Sequence, residues 1–113
     1  MSKDVIPRSL IDALKAECTL SLPVRVYVRD SITRYSDADG YADISKTGKT
    51  YVIMIDSNQD QRSQIDTLLH EWAHLLDWDA RGVDKAADHD WHDGVWGKQF
   101  ARTYRVFEAW EPE

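Results

Sequence analysis

Apolar and polar positions along the chain divide it into six segments. Leu10, Ile11, Leu14 and Cys18 recur at helical spacing behind Pro7, whose missing N–H costs nothing in a first helical turn, so residues 7–18 are predicted as an amphipathic helix. Val24, Val26 and Val28 alternate with Arg25, Tyr27 and Arg29, the period of a half-buried strand. Two further β-rich runs, residues 41–45 and 51–55, flank the turn Thr47-Gly48-Lys49 and are expected to form a hairpin. From about Asp60 to Trp78 the period becomes helical. Ile65, Leu68, Leu69, Trp72, Leu75 and Leu76 cover more than one stripe, so this helix is expected to be largely buried. Residues 79–91 show no firm period and read as a loop. Asp93 can cap a last helix, along which Trp96, Phe100, Tyr104 and Phe107 form one packed face. The pattern predicts an α+β fold: a small three-stranded sheet packed against a long helix, with an N-terminal and a C-terminal helix.

Composition narrows the function classes. At 113 residues the chain is expected to form a single domain, residues 1–113, with an aromatic-rich core supplied by five Trp and five Tyr. Its formal net charge is -6, and no run of Lys or Arg occurs, which disfavours direct nucleic-acid binding. The single cysteine, Cys18, excludes an intramolecular disulfide and a Cys-based zinc site, and is expected to be a small core residue. The N-terminal residues lack a signal-peptide apolar stretch, and no segment approaches the roughly 20 apolar residues that cross a bilayer. A soluble, cytoplasmic protein without membrane contact is expected.

The long predicted helix carries His70-Glu71-Trp72-Ala73-His74, an H-E-x-x-H pattern. Two histidines four apart project from one helix face and can grip a single ion between them. Glu71 is rotated by about 100° from His70. It can therefore flank the ion without ligating it and accept a proton as general base. Imidazole ligands without thiolate favour Zn2+. A catalytic zinc site takes a third protein ligand. His92, eighteen residues beyond His74 at the mouth of the last helix, is the best candidate, followed by His89 and then Glu108. All four histidines fall between positions 70 and 92. Asp77 lies one turn beyond the pair and is expected to orient a ligating imidazole.

At these residues the sequence resembles the zincin metallopeptidases, and within them the small SprT-like and phage-encoded minimal zincins. The segments Leu68-Leu69-His70-Glu71-Trp72-Ala73-His74-Leu75-Leu76-Asp77-Trp78 and His92-Asp93-Gly94-Val95-Trp96-Gly97-Lys98-Gln99-Phe100 carry the likeness over roughly a quarter of the chain. The resemblance implies His92 as third ligand, Gly94 near the turn and Trp96 as the packing aromatic. Asp93 departs from the glycine that more commonly follows the third histidine. A short mixed or antiparallel sheet against the metal-binding helix is the implied fold.

The expected function is zinc-dependent hydrolysis of peptide bonds in a peptide or protein substrate, with Glu71 moving the proton of an activated water to the departing amine. The alternative is a non-catalytic, zinc-stabilised module that binds a protein partner. The strand at 51–55 is expected at a sheet edge, where it could pair with an extended peptide. Tyr104 or Arg105 is a candidate oxyanion helper, though a packed tyrosine and a solvated arginine are the better explanations of the two. The aspartates at 77, 79, 84, 88, 90 and 93 read as a solvated acidic stretch. Gly48-Lys49-Thr50 echoes a phosphate-binding loop, but Asp43 stands where its upstream glycine would be. The sequence leaves the oligomeric state open.

Overall fold

A computed structural model of the chain describes residues 6–30, 39–81 and 94–110; His89 and His92 lie outside the described residues. The first helix, α1 (Arg8–Glu17), starts where the Pro7 carbonyl accepts the N–H groups of Leu10 and Ile11. It ends as the Cys18 N–H donates to the Leu14 carbonyl, with Leu10 and Leu14 fully buried. Three strands follow, β1 (Val24–Arg29), β2 (Gly40–Ile44) and β3 (Tyr51–Asp56). They form a mixed sheet of order β1-β3-β2, in which β3 runs parallel to β1 and antiparallel to β2. The expected β2–β3 hairpin is present. Gly48 takes φ 72°, a left-handed conformation glycine adopts without steric cost. The Ser45 hydroxyl oxygen accepts the N–H groups of Lys49 and Thr50 across the turn.

The expectation that residues 51–55 form an edge strand fails: β3 is the middle strand. Its apolar run is continuous because both of its neighbours are β-strands and one of its faces is fully buried. Tyr51, Ile53 and Ile55 point into the core, while Val52, Met54 and Asp56 lie half-buried on the opposite face.

Helix α2 (Gln61–Arg81) begins where the Asp60 carboxylate accepts the Ser63 N–H, a bond that lowers the Asp60 pKa. It lies between the sheet and the last helix, α3 (Gly94–Ala109), and touches both. Being enclosed on two sides, it buries Leu68, Leu69, Trp72, Ala73 and Leu75 completely. The Trp72 indole N–H donates to the Cys18 carbonyl at 3.0 Å, tying α2 to the end of α1. The Thr103 hydroxyl donates to the Leu69 carbonyl at 3.1 Å and fixes α3 on α2.

Helix α2 continues past Trp78 into the stretch expected as loop. Asp79 accepts the backbone N–H of Ser21 at 2.7 Å, the Ser21 hydroxyl at 2.5 Å and the Tyr51 hydroxyl at 2.5 Å. These partners are distant in sequence, so the local pattern carries no sign of them. Among the described residues the fold is thus α+β, with three strands and three helices around one apolar cluster. No described helix is long and apolar enough to cross a membrane.

Candidate metal centre and cleft

His70 and His74 stand one turn apart on α2, and their Nε2 atoms approach to 3.2 Å. Two nitrogens each about 2.0–2.1 Å from a tetrahedral ion are roughly 3.3–3.4 Å apart, so the pair is spaced to share one zinc. The same distance also permits a hydrogen bond between two neutral rings. Helix α3 holds the rings in place. Trp96 packs with its centroid 4.9 Å from His70 and 5.3 Å from His74, and Phe100 stacks on Trp96 at 5.0 Å. Trp96 therefore takes the packing role expected of it.

Glu71 is 8% exposed. Desolvation pushes its carboxyl up from 4.5 to about 7, partly offset by the hydrogen bond it accepts from the Ala42 backbone N–H. That bond identifies the outer edge of β2. Asp39 and Ser45 share ladder bonds with Asp56 and Thr50 of the hairpin partner. By alternation the backbone groups of Gly40, Ala42 and Ile44 face away from β3. The Ile44 N–H turns to the Asp43 carboxylate at 2.8 Å, and the Ala42 N–H turns to Glu71.

Strand β2 can approach α2 this closely because residue 40 is glycine. A Cβ there would lie 2.6 Å from the Met54 carbonyl oxygen and 2.6 Å from Thr67 Cγ2. An open cleft results, with Asp39 and Gly40 on one side, Phe100 and Tyr104 on the other, and Thr67, His70 and Glu71 along α2. Arg62 and Asp66 stand at its far end. The Arg62 guanidinium donates to Asp66 at 3.3 Å and to the Tyr104 hydroxyl at 2.7 Å, and lies 5.1 Å over the Phe107 ring.

The structure thus brings together His70, Glu71 and His74 of the sequence-derived site. The third-ligand candidates His92 and His89 lie outside the described residues. Glu108 does not join the pair: it is exposed, three turns along α3 from Trp96. Among the described residues alone, no group of three His, Cys, Asp or Glu could hold a metal ion. Asp77 accepts the Arg81 guanidinium at 2.6 Å, which replaces its expected contact with an imidazole. Tyr104 reaches the cleft, but its hydroxyl is tied to Arg62, two turns before His70; Arg105 is exposed. Cys18 is buried in the core as expected.

Thr67, Gly40 and Ala42 also line or shape the cleft, and the residue pattern does not single them out. For Thr67 a signal exists: Gln64, Thr67, Glu71, His74 and Asp77 are spaced by three and four residues and form a buried polar stripe along α2. No protein-family model, curated protein or solved structure matches the chain.

Proposed function

We propose that this chain is a zinc-dependent peptidase of the zincin type, related to the SprT-like and phage-encoded minimal zincins and acting on peptide or protein substrates in the cytoplasm. The observation that carries the reading is the 3.2 Å approach of the His70 and His74 Nε2 atoms beside a buried glutamate, with His70 and that glutamate lining a cleft. His70, His74 and His92 would hold the ion. Zinc in such a site supplies Lewis-acid polarisation of a carbonyl and lowers the pKa of water.

The remaining roles belong to the chain itself. An extended substrate would pair with the outward carbonyl oxygens of β2, the edge strand among the described residues, whose Ala42 and Ile44 N–H groups are already taken. Glu71 would take a proton from the attacking water and deliver it to the departing amine nitrogen. A raised carboxyl pKa suits that exchange near neutral pH. Phe100 and Tyr104 would form an aromatic wall against a substrate side chain.

Zinc content per chain, measured for the wild type, His92→Ala and His89→Ala, tests the site. One tightly held zinc, lost or loosened only in His92→Ala, supports the three-histidine centre, whereas no zinc after zinc-replete expression sinks it. Glu71→Gln separates catalysis from binding: it should keep zinc and abolish hydrolysis. A wild type that holds zinc yet cleaves no peptide would favour the non-catalytic partner-binding module.

A further inference from the structure

The sheet has a second edge, on the other side of β3 from the cleft. Among the described residues no strand pairs with the outer side of β1. The Pro23 and Arg29 carbonyls accept the N–H groups of Tyr51 and Ser57 at 2.8 Å and 3.0 Å, which sets Arg25 and Tyr27 to bond β3. By alternation the N–H and C=O groups of Val24 and Val26 face outward. The next outward carbonyl, that of Val28, accepts the Arg29 guanidinium at 3.1 Å. Val24 and Val26 thus offer a donor and an acceptor each to a further strand.

A groove runs along this edge between β1 and α1. One hollow is lined by Ile6, Ile11 and Val26 and a second by Leu20 and Leu22, and Lys15 and Val24 line both and join them. The floor is apolar, because Val24, Val26 and Ile11 pack on the core. The rim is basic. Arg8, Lys15 and Arg25 line the groove, are exposed and form no ion pair among the described residues. Asp12 is the one carboxylate among the lining residues. Glu17 and Arg29, the remaining charges of α1 and β1, lie beyond its opposite ends and offset each other. Asp43 is two strands away from Arg25, beyond Val52. On a chain of net charge -6 the groove is therefore a basic strip.

We propose that this groove takes an extended acidic segment of a partner protein, which adds to β1 as a strand. Main-chain pairing with Val24 and Val26 supplies the register. Alternate side chains of the segment then fall on opposite faces of the sheet. Apolar ones on the α1 side cover Ile6 and Ile11, and acidic ones meet Arg25 on the other face and Arg8 and Lys15 at the rim. The groove shares no lining residue with the cleft, so the proposal is independent of the metal reading.

The probe is the peptide Glu-Val-Glu-Val-Glu-Val, blocked at both ends and titrated into the isotope-labelled full chain at low salt, with amide NMR as the readout. The Val24 and Val26 amide protons should shift downfield and, at saturation, exchange with solvent about tenfold more slowly. Binding should weaken with added salt. Lys15→Glu and Arg25→Glu, both at exposed positions, should each weaken it about fivefold, and blocked Lys-Val-Lys-Val-Lys-Val should not bind this edge. A contact made by charge alone would respond to salt and leave the Val24 and Val26 amides unprotected. That result overturns the proposal. So does the absence of binding, which would leave the cations as guards of the edge against pairing. Shifts confined to Gly40, Ala42 and the rest of β2 overturn it as well, because the peptide then occupies the cleft.

Discussion

Gly40→Ala is the smallest substitution that tests how the cleft is built. The added Cβ would lie 2.6 Å from the Met54 carbonyl oxygen and 2.6 Å from Thr67 Cγ2. Ordinary carbon–carbon contact needs about 3.5–4.0 Å, so β2 must move by about 1 Å or Thr67 must yield. Thr67 is held, because its hydroxyl bonds the Ser63 carbonyl at 2.9 Å and the Gln59 side chain at 3.0 Å. The Met54 carbonyl belongs to the central strand and has no room to retreat. Overpacking of this kind costs about 1–3 kcal/mol. It should also lift Ala42 from Glu71 while leaving the His70–His74 pair, which sits on α2, in place. Urea denaturation of the zinc-loaded protein should therefore show the stability loss, with zinc content unchanged and turnover reduced. Adding Thr67→Ser removes Cγ2 but keeps the hydroxyl, so Gly40→Ala/Thr67→Ser should regain part of the loss. A Gly40→Ala protein within about 0.5 kcal/mol of wild type, or a double variant that regains nothing, would refute the close-approach argument.

Other sites make independent predictions. Asp79→Ala removes the acceptor for the Ser21 N–H, the Ser21 hydroxyl and the buried Tyr51 hydroxyl, and should cost about 2–3 kcal/mol in urea denaturation. Burial, with the Asp79 bond second, raises the Tyr51 hydroxyl to about 12 from an ordinary 10. The folded chain then keeps that proton while the unfolded chain loses it, so stability is intact below pH 10. It should fall by at most about 3 kcal/mol between pH 10 and 12, less where solvent screens the Asp79 bond, and Tyr51→Phe should remove that slope from alkaline melts. Thr103→Val removes the hydroxyl bond to the Leu69 carbonyl and should cost about 1 kcal/mol without changing zinc content.

The elements were legible because their periods are strong: the alternating valines of β1, the helical rows of α2, and the aromatic face of α3. What the sequence hid was contact over distance. The order of the strands depends on which neighbour each chooses, and an apolar run such as Tyr51-Val52-Ile53-Met54-Ile55 can equally be an edge or a centre. The last turn of α2 is held by Ser21 and Tyr51, residues far from Asp79 in the chain, and no local pattern encodes that. At the site, His70, Glu71 and His74 were readable from spacing alone. Gly40 and Ala42 were not, because their roles lie in backbone approach and a backbone N–H, which leave no mark on residue type.

The buried stripe along α2 leads to a prediction about what Glu71 costs the fold. Glu71 sits at 8% exposure with one backbone donor, and burial pushes its carboxyl to about 7 from 4.5. In the zinc-free chain the folded state therefore binds that proton more tightly than the unfolded state. Its stability contribution is complete below pH 4.5 and is lost as pH rises through 7, a difference of about 3 kcal/mol. Glu71→Gln keeps an oxygen for the Ala42 N–H and carries no charge. Zinc-free Glu71→Gln should match the wild type near pH 4.5 and exceed its stability by about 3 kcal/mol at pH 8. Groups that titrate in both proteins cancel from that difference to first order. Loading both with zinc should shrink it, because a nearby dication favours the carboxylate. Equal stability of the two zinc-free proteins at pH 8 would remove the argument. The expected gain would mean that the fold is better off without the charge, so that its presence at the floor of the cleft answers to chemistry and not to stability.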